Sequence, residues 1–269
     1  ASHMKAMIFA AGLGTRLRPL TNTRPKALIE INGITLLERA IQHLRSAGVN
    51  EIMVNAHHFA PQIAAFLRAR NNLGLRVELS HEEVLLDTGG GLKKAAWFFD
   101  DGQPFFVHNA DVLSHLDLAR MYRFHVAHHA LATLAVKPRA TKRQLVFDEA
   151  GRLCGRKEAL TAGSPAISKN THLQGGIVES PIEEGSLDLA FDGIHVISPA
   201  LLGMLEEEGA FSIIDTYLRL AAAGERILAF RSDEYYWRDV GKLAELEEIA
   251  KELAEQDNVL PLPLKPVLQ

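Results

Sequence analysis

Cys154 is the only cysteine among the 269 residues, which excludes an intramolecular disulfide and makes a reducing, cytoplasmic compartment the expected one. No apolar run approaches the roughly 18 residues a membrane span needs, so no membrane partner is expected. A basic excess is also missing. The 29 Lys and Arg against 33 Asp and Glu leave a formal net charge of -4, which argues against a general nucleic-acid binder. No charged-then-apolar leader precedes the first expected strand, and Ala1 to His3 read as a cloning scar ahead of Met4. Neither an internal repeat nor a hexapeptide array that would build a β-helical domain is visible. What remains is 47% hydrophobic and 23% charged, the composition of a globular protein with enough chain for a large core.

The first half alternates short apolar runs with helical patterns, the mark of an α/β protein whose parallel sheet is joined by crossover helices. "KAMIF", "EIMVN", "RVELS" and "PFFVHNAD" read as strands, the last ending on an acid. "TLLERAIQHLRSAGV" has apolar residues at helical spacing up to Gly48, and a second helix is expected from about Pro61 to Arg70. Gly89, Gly90 and Gly91 read as a loop leading into the helix "LKKAAWFF". From Lys137 to Glu184 the pattern breaks into short hairpin-like pieces, expected to form a lid or substrate-binding insert. Alternation then returns with "LAFDGIHVIS", helices near "PALLGMLEEE" and "IIDTYLRLAAAG", the strand "RILAF", and a final charged helix. One domain over 4–257 is expected, with its insert at about 137–190 and a tail over 258–269 too rich in proline to be helical.

The stretch "AAGLGTRLRPLTNTRPKAL" gathers Arg16, Arg18, Arg24 and Lys26 beside Gly12 and Gly14 in a chain that is acidic overall. It follows the first strand, where an open α/β sheet binds ligands. It is not a P-loop, which needs Gly-Lys-Ser/Thr, nor a dinucleotide fingerprint, which needs glycine where Leu17 stands. Glycines at 12 and 14 let backbone approach a ligand and aim N–H groups at an anion. Four like charges this close repel unless an anion compensates them, and a nucleoside triphosphate carries about four negative charges. Arg18 and Arg24 read as solvated as readily as phosphate-bound.

This stretch resembles the signature of the sugar-1-phosphate nucleotidyltransferases, and the likeness continues through "LLDTGGG", "VHNADVL", "FDGIHVISPAL" and "WRDVGK". It is closest to short members of the N-acetylmuramate-1-phosphate uridylyltransferase and mannose-1-phosphate guanylyltransferase kind. The resemblance implies a Rossmann-like three-layer α/β/α fold with a mixed, mostly parallel sheet and a small β-rich insert. It implies transfer of a nucleoside monophosphate from UTP or GTP to a sugar-1-phosphate with release of pyrophosphate, by a monomer or small homo-oligomer. Catalytic roles then fall to Arg16, Lys26 and Asp111, and the nucleotide to Ala10, Ala11, Gly12, Gly14, Thr15, Arg16, Asp87, Thr88, Gly89 and Gly90. The sugar phosphate would be held by Lys26, Asn109, Glu179 and Gly193, although the insert reads "VESP", with Ser180 where many members carry lysine. Asp111 and Asp239 would bind Mg²⁺, since paired carboxylates with phosphate oxygens suit that hard ion. A catalytically silent nucleotide-binding relative and a phosphocholine cytidylyltransferase are the alternatives.

Other chemistry-bearing groups read as structural. His125 and His129 lie four apart on an expected helix without an acidic or cysteine partner in register. His57 and His58 read as hydrogen-bonded groups before the second helix, and Trp97, Phe98 and Phe99 as core.

Overall fold

In the computed structural model, residues 3–158, 167–168, 170–172, 176–178 and 185–259 are described. The first strand β1 (Lys5–Phe9) is followed by the cation-rich loop and a two-strand ribbon, β2 (Glu30–Ile31) and β3 (Ile34–Thr35). Then come α1 (Leu36–Ser46), β4 (Glu51–Ala56), α2 (Ala60–Ala69), β5 (Arg76–His81), α3 (Asp87–Ala95), β6 (Phe105–Asn109), β7 (Val112–Ser114) and α4 (Leu118–Ala127). The second half holds β8 (Ala132–Lys137), β9 (Arg143–Phe147), β10 (Leu153–Glu158), β11 (Ile167–Ser168), β12 (Asn170–His172), β13 (Gly176–Val178) and β14 (Leu187–Ile197). It closes with α5 (Ile213–Ala222), β15 (Ile227–Arg231), β16 (Trp237–Asp239) and α6 (Leu246–Val259).

Strands β5, β4, β1 and β6 run parallel, β14 lies antiparallel between β6 and β8, and β15 pairs parallel with β8. The result is the mixed, mostly parallel sheet that the alternating pattern implies. Its two faces are built by strict alternation: on β1, Ala6 and Ile8 enter one core with Leu37 and Ile41 of α1, while Met7 enters the other with Leu92 of α3 and Tyr217 of α5. Helices on both faces complete three layers. The strand β14 is long enough to leave this sheet and pair at its start with β9, which carries β10 and β11, so the insert is β-rich and continuous with the main sheet.

Three expectations need correction. The glycines of "LLDTGGG" are not a loop: α3 begins at Asp87 and includes them, because they are the residues that let this helix press against the segment before α5. "PALLGMLEEE" forms only a short 3₁₀ run, Pro199–Met204, rather than a full helix. Trp97 is exposed while Phe98 and Phe99 are buried, because the turn Ala96–Phe98 directs only the phenylalanines inward. A fourth expectation is corrected at the far end, where α6 takes in Asn258 and Val259 of the expected tail and ends directly before Leu260-Pro261, because proline restricts only the residues next to it. His125 is buried and bonded through its two ring nitrogens to Thr133 and Ser198, the structural role read for it.

Candidate active site

A cavity of about 510 Å³ opens at the carboxyl ends of the parallel strands. One end of it is formed by the loop after β1. Gly14 holds this loop in a left-handed turn at φ +62°, and a Cβ there would stand 2.9 Å from Thr21 Cγ2 and 3.0 Å from Lys26 Cβ. The Thr21 hydroxyl donates to the Gly14 carbonyl at 2.7 Å, and Leu17 N–H donates to the same carbonyl at 3.0 Å. Leu17 is fully buried in a third apolar cluster with Leu113 and Val240, and with Ile249 and Leu253 of α6. That cluster ties three distant segments together. Arg16 precedes Leu17, Asp111 lies two residues before Leu113, and Asp239 precedes Val240.

The antiparallel pair β7–β16 does the rest of the positioning. Asp239 stands opposite Val112, and Val240 N–H donates to the Asp111 carbonyl at 2.8 Å. Two acids 128 positions apart in the chain become neighbours on one ladder. Lys26 reaches the same point from the loop, its Nζ donating to Asp111 Oδ2 at 2.7 Å. Arg16 is exposed on the turn Thr15–Leu17, and its guanidinium and the Asp239 carboxylate both border Gly241.

At the other end of the cavity the lining carries acids and, among the described residues, no Lys or Arg. Ala10 N–H donates to Asn55 Oδ1 at 2.7 Å, Asn55 Nδ2 donates to Glu82 Oε2 at 2.9 Å, and Leu86 N–H donates to Glu82 Oε1 at 3.1 Å. Glu82 is almost wholly buried, so these donors replace the water its carboxylate gives up. Asp87 and Thr88 lie beside it in the wall, Asp87 at φ +58° with its Oδ1 accepting from Thr88 N–H. A polyanion laid along this cavity meets Lys26, paired with Asp111, at one end, and Glu82 and Asp87 at the other. Its phosphates belong at the first end and its uncharged, N–H- or O–H-bearing part at the second.

Of the residues singled out by the sequence, Ala10, Ala11, Gly12, Gly14, Lys26, Asp87, Thr88, Asn109 and Asp111 line this cavity. Thr15, Arg16 and Asp239 are not in its wall: Thr15 and Arg16 are exposed, and Arg16 and Asp239 meet beside Gly241. Gly193, at φ +79°, lies against the Asn109 side chain: a Cβ would come within 2.6 Å of Asn109 Nδ2. Gly89 and Gly90 are placed otherwise than a flat platform for a base. Cβ atoms there would stand 2.2 Å from the Phe211 ring and 2.5 Å from the Gly209 carbonyl, and Gly89 N–H already donates to the Phe211 carbonyl at 2.8 Å. Their α-carbon faces pack the helix, and the wall is left to Asp87 and Thr88. Glu179 lies outside the described residues. Sequence reading missed Asn55 and Glu82. A polar residue closing an apolar strand ("EIMVN") and an acid just past "RVELSH" are the signals that mark them, since both sit at strand ends.

Asp111, in the turn just before β7, and Asp239, on the paired strand β16, are hard oxygen donors, and Asp111 already accepts one cation, the Lys26 ammonium. Among the described residues no third acid, histidine or cysteine joins them as a metal cluster. Two carboxylates that leave the remaining positions to phosphate oxygens and water suit Mg²⁺, which seldom takes an all-protein cage.

The family described as nucleotidyl transferase matches residues 5–147. An N-acetylmuramate alpha-1-phosphate uridylyltransferase of Caulobacter vibrioides is 34% identical over 242 residues, covering 88% of this chain and 91% of that protein. A probable mannose-1-phosphate guanylyltransferase 2 of Arabidopsis thaliana is 37% identical over 248 residues, 89% of this chain and 62% of that one. A solved structure of a putative glucose-1-phosphate thymidylyltransferase from Bacillus anthracis superposes with a TM-score of 0.74 at 16% identity, covering 97% of each chain, a likeness of fold.

Proposed function

This chain belongs to the nucleotidyl transferase family, and from that premise we propose that it transfers the nucleoside monophosphate of UTP or GTP to a sugar-1-phosphate, forming a nucleotide sugar and releasing pyrophosphate. The observation that carries this reading is the convergence of Lys26 and Asp111 at 2.7 Å, with Arg16 and Asp239 beside them, at the cationic end of one cavity. The relatives named for uridylyl and guanylyl transfer to sugar phosphates support the substrate class. We read the product as a cell-wall or polysaccharide precursor and the setting as the cytoplasm, on the N-acetylmuramate relative and the single cysteine.

In this reaction a phosphate oxygen of the sugar-1-phosphate attacks the α-phosphorus, the new P–O bond forms, and the bond to the β-phosphate oxygen breaks in line with it. No strong base is needed, because the second ionisation of a phosphate monoester falls near pH 6 and the nucleophile is already charged at neutral pH. The barrier lies in bringing two anions together and in the charge that grows on the leaving pyrophosphate. The N–H groups around Gly12 and Gly14 cradle the triphosphate, and Arg16 takes the pyrophosphate charge. Lys26 spans nucleotide and sugar phosphates. Asn109 and Gly193 border the sugar, and Asn55, Glu82 and Asp87 face the nucleoside. Asp111 and Asp239 would hold Mg²⁺, which supplies charge neutralisation between the two phosphates.

The test is pyrophosphate release from each common NTP mixed with a panel of sugar-1-phosphates, with CTP and phosphocholine included. Turnover is expected with UTP or GTP and a sugar-1-phosphate. Silence across the panel, with nucleotide binding retained, would replace this reading with that of a non-catalytic binding protein.

A further inference from the structure

Lys26 is bonded to the very carboxylate that the metal reading assigns to Asp111. Its stem is fixed: Pro25 precedes it, the turn Lys26–Leu28 starts from it, and its Cβ is wedged beside Gly14. Its side chain is only 15% exposed and its ammonium donates to Asp111, whose side chain is 35% exposed. A divalent ion on that carboxylate would face a fixed positive charge at close range in a partly desolvated site, where repulsion is weakly screened.

We propose that Lys26 serves as a built-in counter-ion for Asp111, keeping divalent metal off this carboxylate until nucleotide phosphates draw the ammonium away. The inference rests on the transferase reading above and adds an order to it: phosphate first recruits Lys26, and Asp111 is thereby released for metal. The triphosphate is the stronger attractor, with about four negative charges against one on the carboxylate. Lys26 and metal are therefore antagonists in the free protein and partners in the nucleotide complex. The sign of their coupling changes with nucleotide, which a purely structural lysine would not produce.

The experiment titrates Mn²⁺, followed by the electron paramagnetic resonance of the free ion, into the full chain without nucleotide. Wild type, Lys26→Met and the double variant Lys26→Met with Asp111→Asn are compared, with Lys26→Gln in reserve should the methionine variant not fold. The Lys26 variant is expected to bind Mn²⁺ about tenfold more tightly than wild type, and Asp111→Asn added to that variant to remove the gain. With the α,β-methylene analogues of UTP and GTP added in turn, the advantage of the Lys26 variant is expected to reverse, and an advantage that does not reverse overturns the proposal. Equal or weaker Mn²⁺ binding by the Lys26 variant without nucleotide overturns the proposal, as does a gain that survives when Asp111→Asn is added to that variant. Neither result touches the transferase reading, which stands or falls on pyrophosphate release by the wild-type protein.

Discussion

Leu17→Ala tests whether the site is held by packing. Leu17 is fully buried in the cluster that also contains Leu113 and Val240, so one apolar contact set supports the segments carrying Arg16, Asp111 and Asp239. Removing a buried leucine side chain costs about 2 to 5 kcal/mol, and about 3 is expected here because the loop can partly collapse into the gap. For a chain of this size each kcal/mol lowers Tm by roughly 2 to 4 °C, so a drop of roughly 6 to 12 °C is expected in a thermal melt. The functional loss should be separate and larger. A shift of about 1 Å in Arg16 is worth about a hundredfold in rate, so kcat/KM measured well below both melting points should fall by roughly tenfold to a hundredfold. The comparison variant is Leu220→Ala, equally buried but in the other helical layer, near the end of α5. It should lose similar Tm and keep its kcat/KM. If the two variants lose kcat/KM equally, or Leu17→Ala keeps wild-type kinetics, the cluster does not position the site.

Asp111→Asn and Asp239→Asn should each lower turnover at saturating Mg²⁺ far more than they lower Tm, and wild-type turnover in either variant removes that residue from the metal site. Gly89→Ala should destabilise by about 1 to 3 kcal/mol by overpacking against Phe211, read from urea unfolding, whereas an unchanged midpoint would mean that the ring moves freely aside. Stability should also fall with acid. Burial lowers His43 and His195 to about 3 and His108 to about 4, below the ordinary 6.5. The unfolded chain therefore binds more protons than the folded one once pH drops below 6.5, and stability declines from there toward pH 3. Urea midpoints at pH 7, 5.5 and 4.5 should decrease in that order, and a flat series would show that these imidazoles are not buried neutral.

The alternating apolar runs made the α/β class and most strand positions legible, because period and burial are local properties that each strand displays by itself. The same holds for the loop at 10–28, whose glycines and cations announce an anion site without reference to the rest of the chain. Local reading failed where a neighbour in space overrode it. Gly89 to Gly91 look like a turn by composition, yet Phe211 and Gly209 crowd Gly89 and Gly90, and Asn55 and Glu82 crowd Gly91, so closely that glycine is what fits there in a helix. Trp97 has the composition of core and lies outside it, because the turn at Ala96–Phe98 decides which ring faces inward.

The letters of the chain thus carry which chemistry is present: a cationic glycine loop, two well-separated acids, and a sheet with helices to display them. Where those groups meet is a matter of tertiary pairing. Asp239 reaches Asp111 through the β7–β16 ladder, and Glu82 reaches Ala10 through Asn55, contacts between segments far apart in sequence that no local periodicity encodes. Local propensity acts over a few residues, while an active site is assembled by burial and strand pairing summed over the whole fold.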